Sequence, residues 1–265
     1  MTFNAAIVTA TMILSITAVI MIIVVSRRRL AAQDEELRQQ ASMRGWTFLR
    51  AREGRFRVQR WTGITDGVAW IAESLESNQG GTHGRAAARR RRVTRWRTAP
   101  SWTPPTGAFL AAPIVVMGVP EGQGMLPLPP AEGGGWIVTL AQKAVSFAID
   151  KAIEHYFGDE AGREIDAGAL QRVTGDSTPG YVVMAADPDA AARLLFQGLS
   201  AALANGSTNS SSVLSDKERP SILLWNKGIV VARVDHASSA EQIERYARAG
   251  VTLVRQLSGG RPSLS

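Results

Sequence analysis

The chain predicts an α+β fold, with one N-terminal transmembrane helix followed by a soluble antiparallel-sheet domain carrying packed helices. Three observations lead there. Ala5 to Val25 is an uncharged apolar run; short alternating segments after Trp46 are joined by connections too short for parallel crossovers; and Trp136 to Phe157 carries apolar residues at helical spacing.

A helix over the apolar run rises about 1.5 Å per residue and is about 31 Å long, enough to cross a hydrocarbon core about 30 Å thick. A cleaved signal peptide would need a basic start and a shorter apolar stretch. Here Met1 to Asn4 carries no basic side chain, and Arg27, Arg28 and Arg29 stand where cleavage would fall. Lys and Arg cross membranes poorly and collect on the cytoplasmic side. Ten arginines lie between Arg27 and Arg60 and none precedes the run, so the expected topology is single-pass in the inner (plasma) membrane, N-terminus outside and domain in the cytoplasm. Arg27, Arg28 and Arg29 set that topology. Thr11, Ser15 and Ala18 fall on one small-residue face, which suits a homo-oligomer formed between spans.

The expected division is a short tail at 1–4, the span at 5–26, a basic and polar helical stalk at 27–44, a β-rich region at 45–135 and an α+β region at 136–265. The chain of 265 residues is 45% hydrophobic and 20% charged, ordinary for a folded domain. Cysteine is absent, which excludes disulfides, thiolate metal sites and a cysteine nucleophile. The net charge of +7 favours anionic partners, and tethering makes lipid headgroups nearer than nucleic acid.

Arg28 to Arg44 reads as the stalk helix, ended by Gly45. Strands follow around Thr47 to Leu49, Phe56 to Trp61 and Val68 to Ala72, with Arg52 to Arg55 and Thr62 to Gly67 as turns. Trp46, Trp61 and Trp70 are expected to cluster in the core. Residues 77–97 then hold the least usual soluble segment: Arg85, Arg89, Arg90, Arg91, Arg92, Arg95 and Arg97, with no carboxylate between Glu76 and Glu121. Such a run is read three ways: a solvated loop leading into a strand at Val93 to Trp96, a contact for anionic lipid or an acidic protein partner, or a nucleic-acid contact with Trp96 and Trp102 as stacking surfaces. An apolar strand is expected within Gly107 to Met117, then a Pro- and Gly-rich loop.

The helix at 136–157 is expected to turn Ile137, Leu140, Ala141, Ala144, Val145, Ala148, Ile149, Ala152, Ile153 and Tyr156 toward the core. Beyond it the order is β-α-β-β-α: a strand at Tyr181 to Ala186, a helix capped by Asp187 with Pro188 in its first turn, a hairpin turning at Asn226 to Gly228, and a last helix from about Ser239 to Leu257 behind a capping box of Ser238 and Glu241. Two helices on one sheet face bury both elements most simply.

Searches for chemistry return little. No phosphate loop, nucleophile elbow or His-Glu-x-x-His is present, and His83, His155 and His236 lack spaced second ligands. No catalytic residue, metal or cofactor is expected. The acids Asp159, Glu160, Glu164 and Asp166 are read as loop solubility. The stretches Gly63 to Trp70, Trp102 to Leu110 and Tyr181 to Leu195 resemble a group of uncharacterised bacterial proteins with one N-terminal span and a cytosolic α+β domain. That resemblance implies location and architecture and assigns no catalytic residue. The function expected is therefore a membrane-anchored, non-catalytic protein whose domain binds a partner protein or the anionic membrane surface. A hydrolase or transferase with a dispersed site and a tethered nucleic-acid binder are the alternatives.

Overall fold

Alternating side chains in the first half of the chain build a meander, and the second half completes the same sheet. The computed structural model describes residues 2–54, 56–77, 91–102, 112–118, 136–173, 180–195, 199–200, 219–235, 237 and 239–257, without the side chains of 2–11, 13, 91 and 136–142. Its strands are β1 (Thr47–Glu53), β2 (Phe56–Thr65), β3 (Val68–Ser77), β4 (Arg91–Thr98), β5 (Ile114–Gly118), β6 (Gln171–Arg172), β7 (Tyr181–Ala185), β8 (Ser221–Trp225) and β9 (Gly228–Arg233). They form one sheet in the order β1-β2-β3-β4-β9-β8-β5-β7-β6. All neighbours are antiparallel. The regions 45–135 and 136–265 thus share a sheet, since β4 pairs with β9 and β5 lies between β8 and β7.

Five helices accompany the sheet among the described residues: α1 (Thr2–Ser42), α2 (Trp136–Phe157), α3 (Asp159–Glu164), α4 (Pro188–Leu194) and α5 (Ala240–Leu257). One face of the sheet joins α1, α4 and α5 through a core that includes Leu37, Ala41, Trp61, Trp96, Leu194, Ile243 and Val254. The other joins α2 and α3 through Ile153, Phe157, Ala161, Leu223 and Val230. Helices α4 and α5 share a face as expected, and α2 covers the opposite one, which makes the domain three-layered.

The stalk is part of the domain. Leu37 and Ala41 are buried, Asp34 pairs with Arg50 at 2.7 Å, and Arg44 Nε donates to Glu244 on α5 at 3.0 Å. That hydrogen bond, more than the opposing burial, holds the Glu244 carboxyl below its ordinary value. Helix α1 is continuous over 41 residues and ends where Gly45, at φ 71, lets the Trp46 amide return to the Ala41 carbonyl at 2.9 Å. Residues 14–33 are exposed. Among the described residues no helix is long and apolar enough to cross a membrane. Most side chains in the first third of the apolar run lie outside that description.

Several sequence expectations shift. Strand β2 runs through Gly63 to Thr65, so the turn shrinks to Asp66 and Gly67, at φ 52 and 79, a pair suited to a type I′ hairpin. Gly63 is a strand residue because two rings crowd it: a Cβ there would lie 2.5 Å from Trp46 Cδ1 and 2.7 Å from Trp70 Cζ2. Trp46 meets Trp70 edge-on at 5.0 Å, and Phe48 packs on Trp61 at 5.2 Å. The strand expected at Val93 to Trp96 spans Arg91–Thr98. Ser239, with its hydroxyl accepting from the Gln242 amide at 3.3 Å, caps α5; Ser238 lies outside the described residues. Asp187 caps α4 as read, accepting from the Ala190 amide at 2.9 Å. On α2, Ile153 is buried, but Ala144 and Ala148 are exposed and Phe147 is 63% exposed, because only the last turns lie over the sheet.

Candidate functional site

The arginine-rich stretch is the candidate site, and the register of β3 with β4 decides what its side chains meet. Glu76 stands opposite Arg92 and Glu73 opposite Arg95. Successive side chains point to opposite faces, so Arg92 shares the face of α5 while Arg95 and Arg97 share that of α2. Arg92 uses Nε and Nη2 to donate to Glu76 Oε1 at 3.2 and 3.0 Å.

Arg95 caps a helix. Its Nε donates to the Tyr156 carbonyl at 2.7 Å, and its Nη2 donates to the carbonyls of His155 at 2.7 Å and Glu154 at 3.4 Å. These belong to the last turn of α2, where carbonyls lack partners within the helix and the dipole favours a cation. Gly158, at φ 105, carries the chain past the guanidinium, where a Cβ would come within 3.2 Å of Nη1. Burial pulls the Arg95 guanidinium below its ordinary value, against the charges of Glu73 and Asp159.

Glu73, only 9% exposed, collects cations from both neighbouring strands. Arg60 Nε donates to it at 2.7 Å, Arg97 Nη2 lies at 3.8 Å, and Arg60 Nη2 reaches Glu53 at 2.9 Å. Burial lowers the Arg60 guanidinium, but the hydrogen bond and charge of Glu73, with Glu53 adding to them, leave it above its ordinary value. Arg92, Arg95 and Arg97 therefore do not form one continuous basic surface. Arg85, Arg89 and Arg90 lie outside the described residues, as does the side chain of Arg91. Arg27, Arg28 and Arg29 are exposed on α1.

Between this face and the end of α2 lies a cleft of about 690 Å³, lined by Glu53, Phe56, Leu75, Lys151, Glu154 and His155 among others. Three of its four carboxylates are engaged, Glu53 and Glu73 by Arg60 and Glu154 by Lys151 at 2.6 Å, while the fourth, Asp159, is exposed at the start of α3. Among the described residues no group of His, Cys, Asp and Glu could hold a metal ion.

The acids after α2 are corrected from solubility to structure. Glu160 and Glu164 on α3 both accept from Lys227 in the β8–β9 turn, the first at 2.6 Å, and Lys227 sits 5.4 Å over the Trp225 ring. The Lys227 hydrogen bond holds the Glu160 carboxyl below its ordinary value, and the two acids raise Lys227. Asp166 accepts from the Gly168 amide and caps a short 3-10 turn. Sequence reasoning missed the Arg60, Glu73 and Arg97 set. Its one signal was a pair of glutamates spaced to oppose arginines on a following strand.

The fold and site define an α+β protein whose described strands, nine in number, form one antiparallel sheet, and whose β4 arginines are largely committed to holding that sheet and α2 together. No protein-family model matches the chain. No curated protein matches it in sequence. Among solved structures it is similar to the mycobacterial trehalose monomycolate transport factor A, at 8% identity, covering 88% of this chain and 96% of that one, with a TM-score of 0.39. A likeness at that level carries no argument.

Proposed function

We propose that this is a single-span, membrane-anchored, non-catalytic protein of a bacterial inner membrane, whose cytoplasmic domain binds the anionic membrane surface or a partner protein. One observation carries the reading: the apolar run is displayed on a helix whose described side chains in that run are exposed and covered by none of the described residues of the domain. Met12, Leu14, Ile16, Val19, Ile20, Met21, Ile22 and Ile23 are between 47% and 74% exposed, on the same continuous helix whose last turns are buried in the core. So large an apolar surface needs an apolar environment, and together with residues 5–11 of the sequence it has the length of a span. Arg27, Arg28 and Arg29 then mark the cytoplasmic flank. Each basic residue near an anionic surface adds about 1 kcal/mol of attraction.

The same exposed helix supports self-association between spans, with Ser15 and Ala18 on its surface and the Thr11 side chain outside the described residues. The cleft favours the enzyme alternative, but Glu53, Glu73 and Glu154 in it are tied in ion pairs where a general acid or base would need freedom to exchange a proton, and the exposed Asp159 lacks the burial that would tune it for that role. Nucleic-acid binding gains no support from the two expected stacking surfaces, since Trp96 is fully buried and Trp102 is partly buried against the same core.

Deletion of residues 5–25 tests the anchor while leaving Asp34, Leu37 and Ala41 in place. The full chain is expected to stay with membranes through alkaline extraction and the deleted chain to move to the supernatant. Release of the full chain by alkali would overturn the reading.

A further inference from the structure

The path of the chain after α1 fixes which end of the domain faces the anchor. The Trp46 amide bonds the Ala41 carbonyl at 2.9 Å, and four residues later Arg50 meets Asp34 at 2.7 Å. Residue numbers fall along the helix as they rise along the strand, so β1 climbs back along α1 toward the apolar run. From Arg50 to Glu53 the strand advances about 10 Å. From Asp34 back to Arg29 and Arg27 the helix advances about 8 to 10 Å. The β1–β2 turn thus reaches the level of the arginine triplet.

Strand register carries that level across the sheet. Glu53 pairs with Phe56, Phe56 with Ser77, and Ser77 with Arg91. The described residues that flank both connections at this row are mainly basic: Arg52, Arg57, Arg91 and Arg92 against Glu53 and Glu76. Those glutamates, Glu53 and Glu76, are paired with Arg60 and Arg92. Arg52 and Arg57 are exposed. At the opposite end the charges are matched, with Arg255 on Asp66 at 3.1 Å and Lys227 on Glu160.

We infer that this row is the membrane-facing end of the domain, and that Arg52 and Arg57 are set against anionic phospholipid headgroups of the bilayer that holds α1. The inference rests on the membrane reading above and adds an orientation to it. Docking of α1 makes the orientation a property of the fold, since helix and domain cannot turn independently while Leu37 and Ala41 remain buried.

A chain without cysteine allows a clean test by single-site labelling. Full-length Leu14→Cys, Arg52→Cys, Gly54→Cys and Ile64→Cys would each carry a fluorophore and be reconstituted in phosphatidylcholine vesicles with and without phosphatidylglycerol. Nitroxides on acyl chains or on headgroups would act as quenchers. Arg52 and Ile64 are both exposed, and seven residues of strand register separate their rows, about 23 Å. The expected result is acyl-chain quenching at 14, headgroup quenching at 52 and 54 and little at 64, with quenching at 54 increased by phosphatidylglycerol and reduced by salt. No quenching at 14 would remove the anchor and the inference with it. Quenching at 14 with equal signals at 52 and 64 would keep the anchor and overturn the orientation. Because the label at 52 replaces one of the two arginines, the headgroup contact is read at Gly54→Cys, exposed in the same turn with both arginines in place, and indifference of that position to phosphatidylglycerol and salt would overturn the contact.

Discussion

Gly250→Val is expected to lower stability by about 3 kcal/mol, because α5 sits on Trp96 at the one position where it has no side chain. A Cβ at 250 would lie 2.4 Å from Trp96 Cδ2 and Cε3. Trp96 is fully buried between β3 and β9, so its ring has nowhere to go. Gly250→Ala separates the two effects. In an open helix that change gains about 1 kcal/mol of helix propensity; here overpacking, commonly about 1 to 3 kcal/mol, should reverse its sign. Urea unfolding of the chain lacking 5–25 would measure both variants. An alanine variant with a raised midpoint would mean that the ring yields, and the account of the α5 contact would be wrong.

Arg95→Met is expected to cost about 3 kcal/mol, since it keeps most of the stem but removes the guanidinium from the carbonyls closing α2. The distinguishing readout is local. Amide exchange should accelerate in residues 150–158 before it does in β2 or β3, because the helix end loses its donors while the sheet keeps its ladder. Equal acceleration everywhere would mean that Arg95 serves the sheet as a whole; no change would mean that water replaces it.

The parts of this fold that could be read from sequence are those set by neighbours along the chain. Asp187 and Pro188 start α4, Asn226 to Gly228 turns the last hairpin, and the helical period places α2 at Trp136–Phe157. What could not be read depends on strands meeting across the sheet. Gly63 looks like turn material until Trp46 and Trp70 converge on it. Arg95 looks like one more member of a basic run until β4 passes the end of α2. The exposure of Ala144, Phe147 and Ala148 was equally hidden, because periodicity identifies a helix face but does not say how far the sheet extends beneath it. The row of arginines behaves in the opposite way. Its composition was plain, whereas the level that Arg52 and Arg57 reach along α1 emerged only from register and from the pairing of Asp34 with Arg50.

The most direct measurement is the accessibility of a single cysteine at Ile20 to a membrane-impermeant maleimide, in sealed vesicles carrying the full chain, with Arg38→Cys as the exposed comparison on the same helix. The account predicts that Ile20→Cys stays unmodified until detergent is added while Arg38→Cys reacts at once from the cytoplasmic side. Reaction at both positions at the same rate in intact vesicles would contradict it.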